Sequence, residues 1–184
     1  MPRMKDLTVA ELTPAQKQVY DAIAAGPRGQ VHGGPFHVWL REPGFADKAQ
    51  ALGAHLRFNK TLPLKVTEIA ILVVARHWSA QFEWFYHKQV ALKAGLDPRI
   101  IDAIHARKQP AGMATDEAAA HAFANELLEK KKVSEPTYQA ALKALGEPGV
   151  AVLTGVIGYY SLVAMTLNAF EIPLPAGETP PFKE

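Results

Sequence analysis

The sequence predicts an all-α fold built around an antiparallel helical hairpin at residues 62–96. Apolar residues recur at the three- and four-residue spacing of helices along most of the 184-residue chain. Alternation typical of strands is limited to part of residues 150–157, where the length of the apolar run favours a helix. Proline, glycine, serine and threonine residues, which commonly begin and end helices, separate the periodic segments.

Residues 1–60 are predicted to form an N-terminal helical extension. Thr13 and Pro14 are typical of an N-cap and a first helical position, and a Gly-Pro pair is placed to end that helix. After a loop rich in glycine and proline, we expect a short helical piece at residues 36–41 and a longer helix at residues 44–58.

The hairpin is predicted as two helices, residues 63–78 and 80–94, joined by a tight turn. Ser79 is expected to cap the second helix, because its hydroxyl can accept a hydrogen bond from an orphan backbone N–H. Gly95 stands where helices commonly end. Since a short turn makes the two helices antiparallel neighbours, side chains on one helix are expected to face the other.

Four helices are predicted after the hairpin, and Thr115 and Ser134 are expected to cap the second and third of them. Residues 171–184 are rich in proline, and we expect an extended tail. The chain has the length of one domain, so residues 1–184 are interpreted as a single domain whose core is residues 61–170. The four predicted helices are residues 98–107, 116–131, 135–145 and 147–169.

Composition excludes several classes of function. The net charge is +2 and the longest basic run is the three lysines at residues 130–132, so we expect no nucleic-acid partner. The chain has no cysteine, which excludes disulfides, thiolate metal sites and dithiol peroxidase chemistry. The N-terminus lacks the apolar stretch of a signal peptide, which favours a cytoplasmic location. Residues 148–170 are uncharged but contain many small and polar residues, so we expect a buried core helix and no membrane span.

Three ionisable residues of the hairpin are candidates for a catalytic site. Glu83 and His87 are four residues apart and therefore share one face of the second helix. Glu68 stands in an apolar run of the first helix, where a buried carboxylate is costly unless it is paired. The alternatives are a solvated Glu83–His87 pair and a Glu68 that lies on the solvent side of its helix. A metal site that adds His77 has no recognised ligand spacing, so we expect no metal.

The hairpin resembles the carboxymuconolactone decarboxylase and alkylhydroperoxidase-D-like family, most closely over residues 60–96. Glu68 and His87 stand where the peroxidases of that family have a conserved glutamate and histidine, and Ala80 and Glu83 stand where they have two cysteines. The segment QFEWFYHKQVALKAGL is similar to the decarboxylase-like branch, in which E-W-x-x-H is common. The resemblance implies an alkylhydroperoxidase-D-like helical fold, assembly as a homo-oligomer (trimer or hexamer) and a small-molecule substrate.

The resemblance also implies a carboxy-lyase that needs no cofactor and acts on a small lactone or keto acid by general acid/base catalysis. His87 would donate the proton, Glu68 would orient or recharge His87, and Glu83 would be a second acid/base group or a substrate contact. Two carboxyl groups near an anionic substrate are unfavourable unless one of them is protonated. A non-catalytic small-molecule-binding protein, an isomerase and a lactone hydrolase remain as alternatives.

Several other side chains are predicted to contact the substrate. His32 lies in the glycine-rich loop, and loops often carry binding residues. Aromatic residues near the site are expected to form a pocket wall, although core packing is the alternative for them. Three polar side chains of the last helix need partners and are expected to face either this pocket or a subunit interface. The aromatic residues are Phe36, Trp39 and Trp84, and the polar ones are Tyr159, Tyr160 and Asn168.

Overall fold

The computed structural model describes residues 3–29, 31, 33–58 and 60–183, and within these ranges the chain is helical and contains no strand. The predicted all-α class is therefore confirmed. After a 3₁₀ turn at Val9–Glu11, the helices are α1 (Pro14–Ala25), α2 (Phe36–Trp39), α3 (Pro43–Phe58), α4 (Leu64–His77), α5 (Gln81–Lys93), α6 (Pro98–His105), α7 (Thr115–Lys130) and α8 (Glu135–Ala169).

Helix α4 is the centre of the fold. Its residues 66–75 are all buried, and the helix packs against α5, α6, α7 and α8. A helix that is apolar on every side is stable only when neighbours surround it, and the continuous apolar run of α4 meets that condition. The one carboxyl group in this run, that of Glu68, is consequently buried with it.

The turn between α4 and α5 differs from the prediction. Ser79 does not cap α5; it adopts a left-handed conformation (φ 49°) and ends α4, while Ala80 occupies the N-cap position. The backbone N–H of Ala80 donates to the carbonyl of Ala75 at 2.8 Å, which closes the end of α4. The chain must reverse within the three residues between α4 and α5, and a left-handed residue after a helix achieves that reversal.

Of the predicted N-caps of α1 and α7, the first is confirmed and the second is wrong. The hydroxyl of Thr13 accepts from the Gln16 N–H at 3.4 Å, which confirms the start of α1. Thr115 is not a cap but the first residue of α7, and Ala114 is the N-cap. The Glu117 carboxylate accepts from the Ala114 N–H at 3.0 Å and satisfies a backbone donor at this end of the helix.

Helix α8 contains the two predicted C-terminal helices with a break between them. Gly146 has φ 69° and ψ 170°, a conformation that favours glycine, and Pro148 follows it. At the start of α8, Ser134 is the N-cap residue, but its hydroxyl bonds to the Glu126 carboxylate at 3.0 Å. Among the described helices α8 has the length and apolar composition to cross a membrane, and 56% of its most apolar stretch is buried inside the protein against α3, α4 and α7.

The C-terminal tail is anchored near the start of α5. Phe182 is buried between Trp84 and His105, with ring centroids 5.3 Å from each. The Phe182 N–H donates to Gln81 Oε1 and the Gln81 amide donates to the Phe182 carbonyl, both at 2.9 Å. This two-point contact holds the tail against the helix that carries Glu83.

Candidate active site

A cavity of about 230 Å³ lies where α5 and α8 meet the N-terminal segment. Glu83 and His87 line it from α5, and Arg28 and Arg57 line it from the N-terminal segment. The remaining wall is mainly aromatic, with a glycine-proline turn at one side. The aromatic lining residues are Phe36, Phe58, Phe82, Tyr86, Tyr159 and Tyr160.

Glu68 and His87 form a buried pair between the two helices of the hairpin. Glu68 Oε2 lies 2.7 Å from His87 Nδ1, Glu68 is fully buried, and His87 is only 5% exposed. This contact offsets the free-energy cost of burying the Glu68 carboxylate in α4, because a buried charge is tolerated when it is hydrogen-bonded to a partner. It also orients the imidazole, so that Nε2 is the ring nitrogen that can hydrogen-bond to a ligand.

The surroundings of His87 favour a neutral imidazole. Burial lowers the pKa of His87, the nearby Arg57 and Arg28 lower it further, and Glu68 opposes them. With Glu68 accepting from the Nδ1–H, the lone pair of the neutral ring lies on Nε2. The imidazole ring packs against Tyr160 in a T-shaped contact, with centroids 4.9 Å apart and an interplanar angle of 86°. His87 is therefore suited to accept a proton at neutral pH.

Glu83, in contrast to His87, is a candidate proton donor. It is 2% exposed, and neither of its carboxyl oxygens hydrogen-bonds to a residue that the structure describes. Burial raises the pKa of Glu83 well above its ordinary value, and the charge of Glu68 raises it further. Burial therefore favours the protonated form of Glu83, which lies one helical turn from His87 on the same cavity wall. A candidate proton donor and a candidate proton acceptor thus line one cavity.

The structure brings the three predicted catalytic residues together. Glu83 and His87 line the cavity, and Glu68 lies behind His87 in contact with it. The solvated alternatives for these three residues are wrong, because all three are buried. Phe36 lines the cavity as predicted for an aromatic wall. His32 lies outside the described residues.

Two aromatic residues that were expected to contact substrate are in the core instead. Trp84 is 1% exposed and packs against His105 and Phe182, because successive residues of a helix point about 100° apart and Trp84 follows Glu83 directly. Trp39 is also buried, and its indole N–H donates to the Thr166 hydroxyl at 3.0 Å. Neither tryptophan lines the cavity that the described residues form.

The sequence left the partners of Tyr159 and Tyr160 undecided, and it did not predict two further cavity residues, Arg28 and Arg57. Tyr159 and Tyr160 line the cavity. The Asn168 amide instead donates to the Trp78 carbonyl and so satisfies a backbone acceptor at the end of α4. Arg28 and Arg57 lie in the loop after α1 and in the last turn of α3, and no short-range spacing connects either of them with the hairpin.

His77 has its partner elsewhere. Its Nδ1 lies 2.9 Å from the Glu129 carboxylate on α7, so it does not join Glu83 and His87. Within the described part of the chain, no group of three or more histidine, aspartate or glutamate side chains is arranged to hold a metal ion.

Gly53 of α3 packs closely against two residues of the cavity wall, and a substitution at Gly53 tests this packing. A Cβ atom at this position would lie 2.1 Å from the Tyr159 hydroxyl and 2.6 Å from Arg28 Nη2. We expect Gly53→Ala to lower the free energy of unfolding by about 1–3 kcal/mol, the usual cost of overpacking. In Gly158→Ala, the matched control, the added Cβ meets nothing within 4 Å. This control should be neutral or more stable by up to about 1 kcal/mol. Urea unfolding measures both, and equal stabilities would contradict the close packing at Gly53.

Comparisons with known proteins identify the fold. No family model matches the sequence, and no curated protein matches it. A solved structure of a Cys-to-Ala variant of the debrominase Bmp8 in complex with 2,3,4-tribromopyrrole has a TM-score of 0.74 and 13% identity, covering 93% of this chain and 90% of that chain. The apo structure of Bmp8 has a TM-score of 0.74 and 12% identity, covering 93% and 91%. The chain therefore has an alkylhydroperoxidase-D-like helical fold.

Proposed function

We propose that this protein is a carboxy-lyase that acts on a small conjugated lactone or keto acid by general acid/base catalysis without a cofactor. The observation that carries the proposal is the buried Glu83 one helical turn from the Glu68-bound His87 in one cavity, where burial favours the neutral forms of both Glu83 and His87. Such an arrangement supplies both a proton and a place for a proton at neutral pH.

In the proposed step, the bond between the ring carbon and its carboxylate breaks. Carbon dioxide leaves, and the electron pair of that bond spreads into the conjugated carbonyl as an enolate. The Glu83 carboxyl group then gives its proton to the carbon, and solvent restores that proton through His87 and Glu68. The proton assignment differs from the sequence-based one, in which His87 was the donor, because burial favours the neutral forms of both Glu83 and His87.

The shape of the cavity supports a small flat substrate. Six aromatic residues line it, and a volume of about 230 Å³ suits a molecule of one ring. The 2,3,4-tribromopyrrole bound to the structurally similar Bmp8 variant is also a small flat ring. At 13% identity this neighbour supports only the size class of the ligand, not its chemistry.

Isomerisation is the second candidate. A proton shift between two carbons needs a base and an acid on the same substrate, and Glu83 and His87 supply that pair. Decarboxylation strictly requires only the acid. The two reactions give different products from the same class of substrate, so one experiment distinguishes them.

We expect turnover of small unsaturated lactone acids and keto acids in a screen that follows ultraviolet absorbance. In D₂O, decarboxylation should release one carbon dioxide per turnover and place one deuterium on the carbon that lost it. Deuterium incorporation without carbon dioxide would contradict a lyase and favour an isomerase. If thermal-shift assays show ligand binding but no compound in the panel is converted, a non-catalytic binding protein would replace the enzyme proposal. The exposed-surface variant Lys88→Gln serves as an active control.

A further inference from the structure

Two guanidinium groups occupy one side of the cavity. Arg28 Nη2 lies 3.5 Å from the Tyr159 hydroxyl, and the same nitrogen lies directly over Gly53 of α3. Arg57 follows Gly53 by four residues and therefore projects from the same face of α3. The absence of a side chain at Gly53 thus lets Arg28 approach the helix that carries Arg57. Both arginines line the cavity.

Neither arginine forms an ion pair with a carboxylate in the described part of the chain. Arg28 instead lies over the Phe36 ring at 5.1 Å, and Arg57 lies over the Phe58 and Tyr86 rings at 5.2 and 5.3 Å. The Arg28 Nε is buried and has no described hydrogen-bond partner. Aromatic faces stabilise a guanidinium but leave its N–H donors available in the ring plane.

The charges of the cavity do not balance. Glu68 is hydrogen-bonded to His87, and burial favours the neutral form of Glu83. Among the described residues, the two partly buried guanidinium groups of Arg28 and Arg57 therefore lack a matching number of charged carboxylates around the cavity. A partly buried charge is costly unless it is paired, and a bound anion would supply the missing partner.

We propose that Arg28 and Arg57, with the Tyr159 hydroxyl, form a subsite for the carboxylate of a flat aromatic or conjugated acid. Guanidinium groups bind carboxylates through paired N–H donors, and the surrounding aromatic rings would contact the flat remainder of the ligand. This inference rests on the proposed function, since it specifies the substrate class of the same cavity.

The subsite has a consequence for the reaction. A carboxylate held by two guanidinium groups is stabilised in the bound ground state, which would raise the barrier to its own loss as carbon dioxide. The carboxylate at Arg28 and Arg57 is therefore a handle that stays on the molecule. The reacting carbon lies toward Glu83 and His87. A lyase substrate would then carry a second carboxylate, whereas an isomerase substrate needs only this one.

Benzoate and its neutral isostere benzamide test the subsite by isothermal titration calorimetry, with no turnover required. We expect benzoate to bind at least 10-fold more tightly than benzamide. Arg28→Gln and Arg57→Gln should each weaken benzoate binding by about 10-fold, which corresponds to about 1.4 kcal/mol, and leave benzamide binding unchanged. Arg99→Gln is the matched control, because Arg99 is exposed on α6 and pairs with Asp97.

The charge-conserving variants Arg28→Lys and Arg57→Lys are used if a glutamine variant loses its helical circular dichroism, and intermediate benzoate affinity is expected of them. Equal binding of benzoate and benzamide, absence of benzoate binding up to about 10 mM, or full benzoate affinity in both arginine variants overturns the subsite. Arginine-dependent binding without turnover of any acid would leave the subsite standing and reject the enzyme. Turnover that is insensitive to substitution of both arginines would reject the subsite and leave the enzyme proposal standing.

Discussion

Replacing His87 with glutamine is expected to lower kcat by about 100- to 10,000-fold, the usual contribution of one acid/base group. Glutamine keeps a similar size and can still hydrogen-bond to Glu68, but it cannot take up and release a proton at neutral pH. The change therefore removes the path by which the proposed mechanism restores the proton on Glu83. Steady-state kinetics on the substrate found in the screen measures the effect, with Lys88→Gln on the exposed face of α5 as the control.

Glu68→Gln should be nearly as damaging, because the carboxylate orients His87 and stabilises its protonated form across 2.7 Å. Since the two residues act as one unit, the double variant should be little slower than either single variant. Additive losses would mean that Glu68 and His87 contribute separately. Full activity in His87→Gln would contradict the acid/base assignment of His87.

Glu83→Gln is expected to remove activity while it stabilises the folded protein at alkaline pH. The pKa of a glutamate is about 4.3 in the unfolded chain, and burial raises it well above that value in the folded protein. The folded state therefore binds the proton more tightly. The stability that this proton contributes is fully present below pH of about 4.3 and is lost as the pH rises through the folded-state pKa.

Glutamine keeps the neutral shape of protonated Glu83 and has no proton to lose. At a pH above the folded-state pKa, we expect Glu83→Gln to raise the free energy of unfolding by about 1–3 kcal/mol, the usual cost of an unsatisfied buried polar group. Near pH 4 the variant and the parent should be similarly stable. Urea unfolding across a pH series measures this, with the exposed tail variant Glu178→Gln as the control. A stability difference that does not change with pH would contradict a protonated Glu83.

The central part of the site was predictable because its signals are local. The four-residue spacing of Glu83 and His87 places them on one face of any helix, and the short turn brings Glu68 to that face. The same local reasoning was wrong for Trp84, since a neighbour of a site residue along a helix points away from it. It was also wrong for Ser79, where the reversal of the backbone took precedence over the capping tendency of serine.

The arginines were not predictable for a different reason. Arg28 and Arg57 reach the cavity through the packing of α1, α3 and α8, and the sequence between these helices contains no spacing that fixes how they pack. The absence of a side chain at Gly53 makes room for Arg28, and this role of Gly53 depends on a tertiary contact. Sequence patterns therefore identified the acid/base groups, whereas the candidate anion subsite required the tertiary structure.

The anchored tail bears on how the protein should be handled in the laboratory. Phe182 is buried two positions before the last residue and is held by Gln81 at the beginning of α5. An affinity tag fused directly after residue 184 would begin two residues from the contact between Phe182 and Gln81. Placing the tag at the N-terminus leaves the Phe182 contact unaltered, so activity comparisons between variants then report on the substitutions and not on the tag.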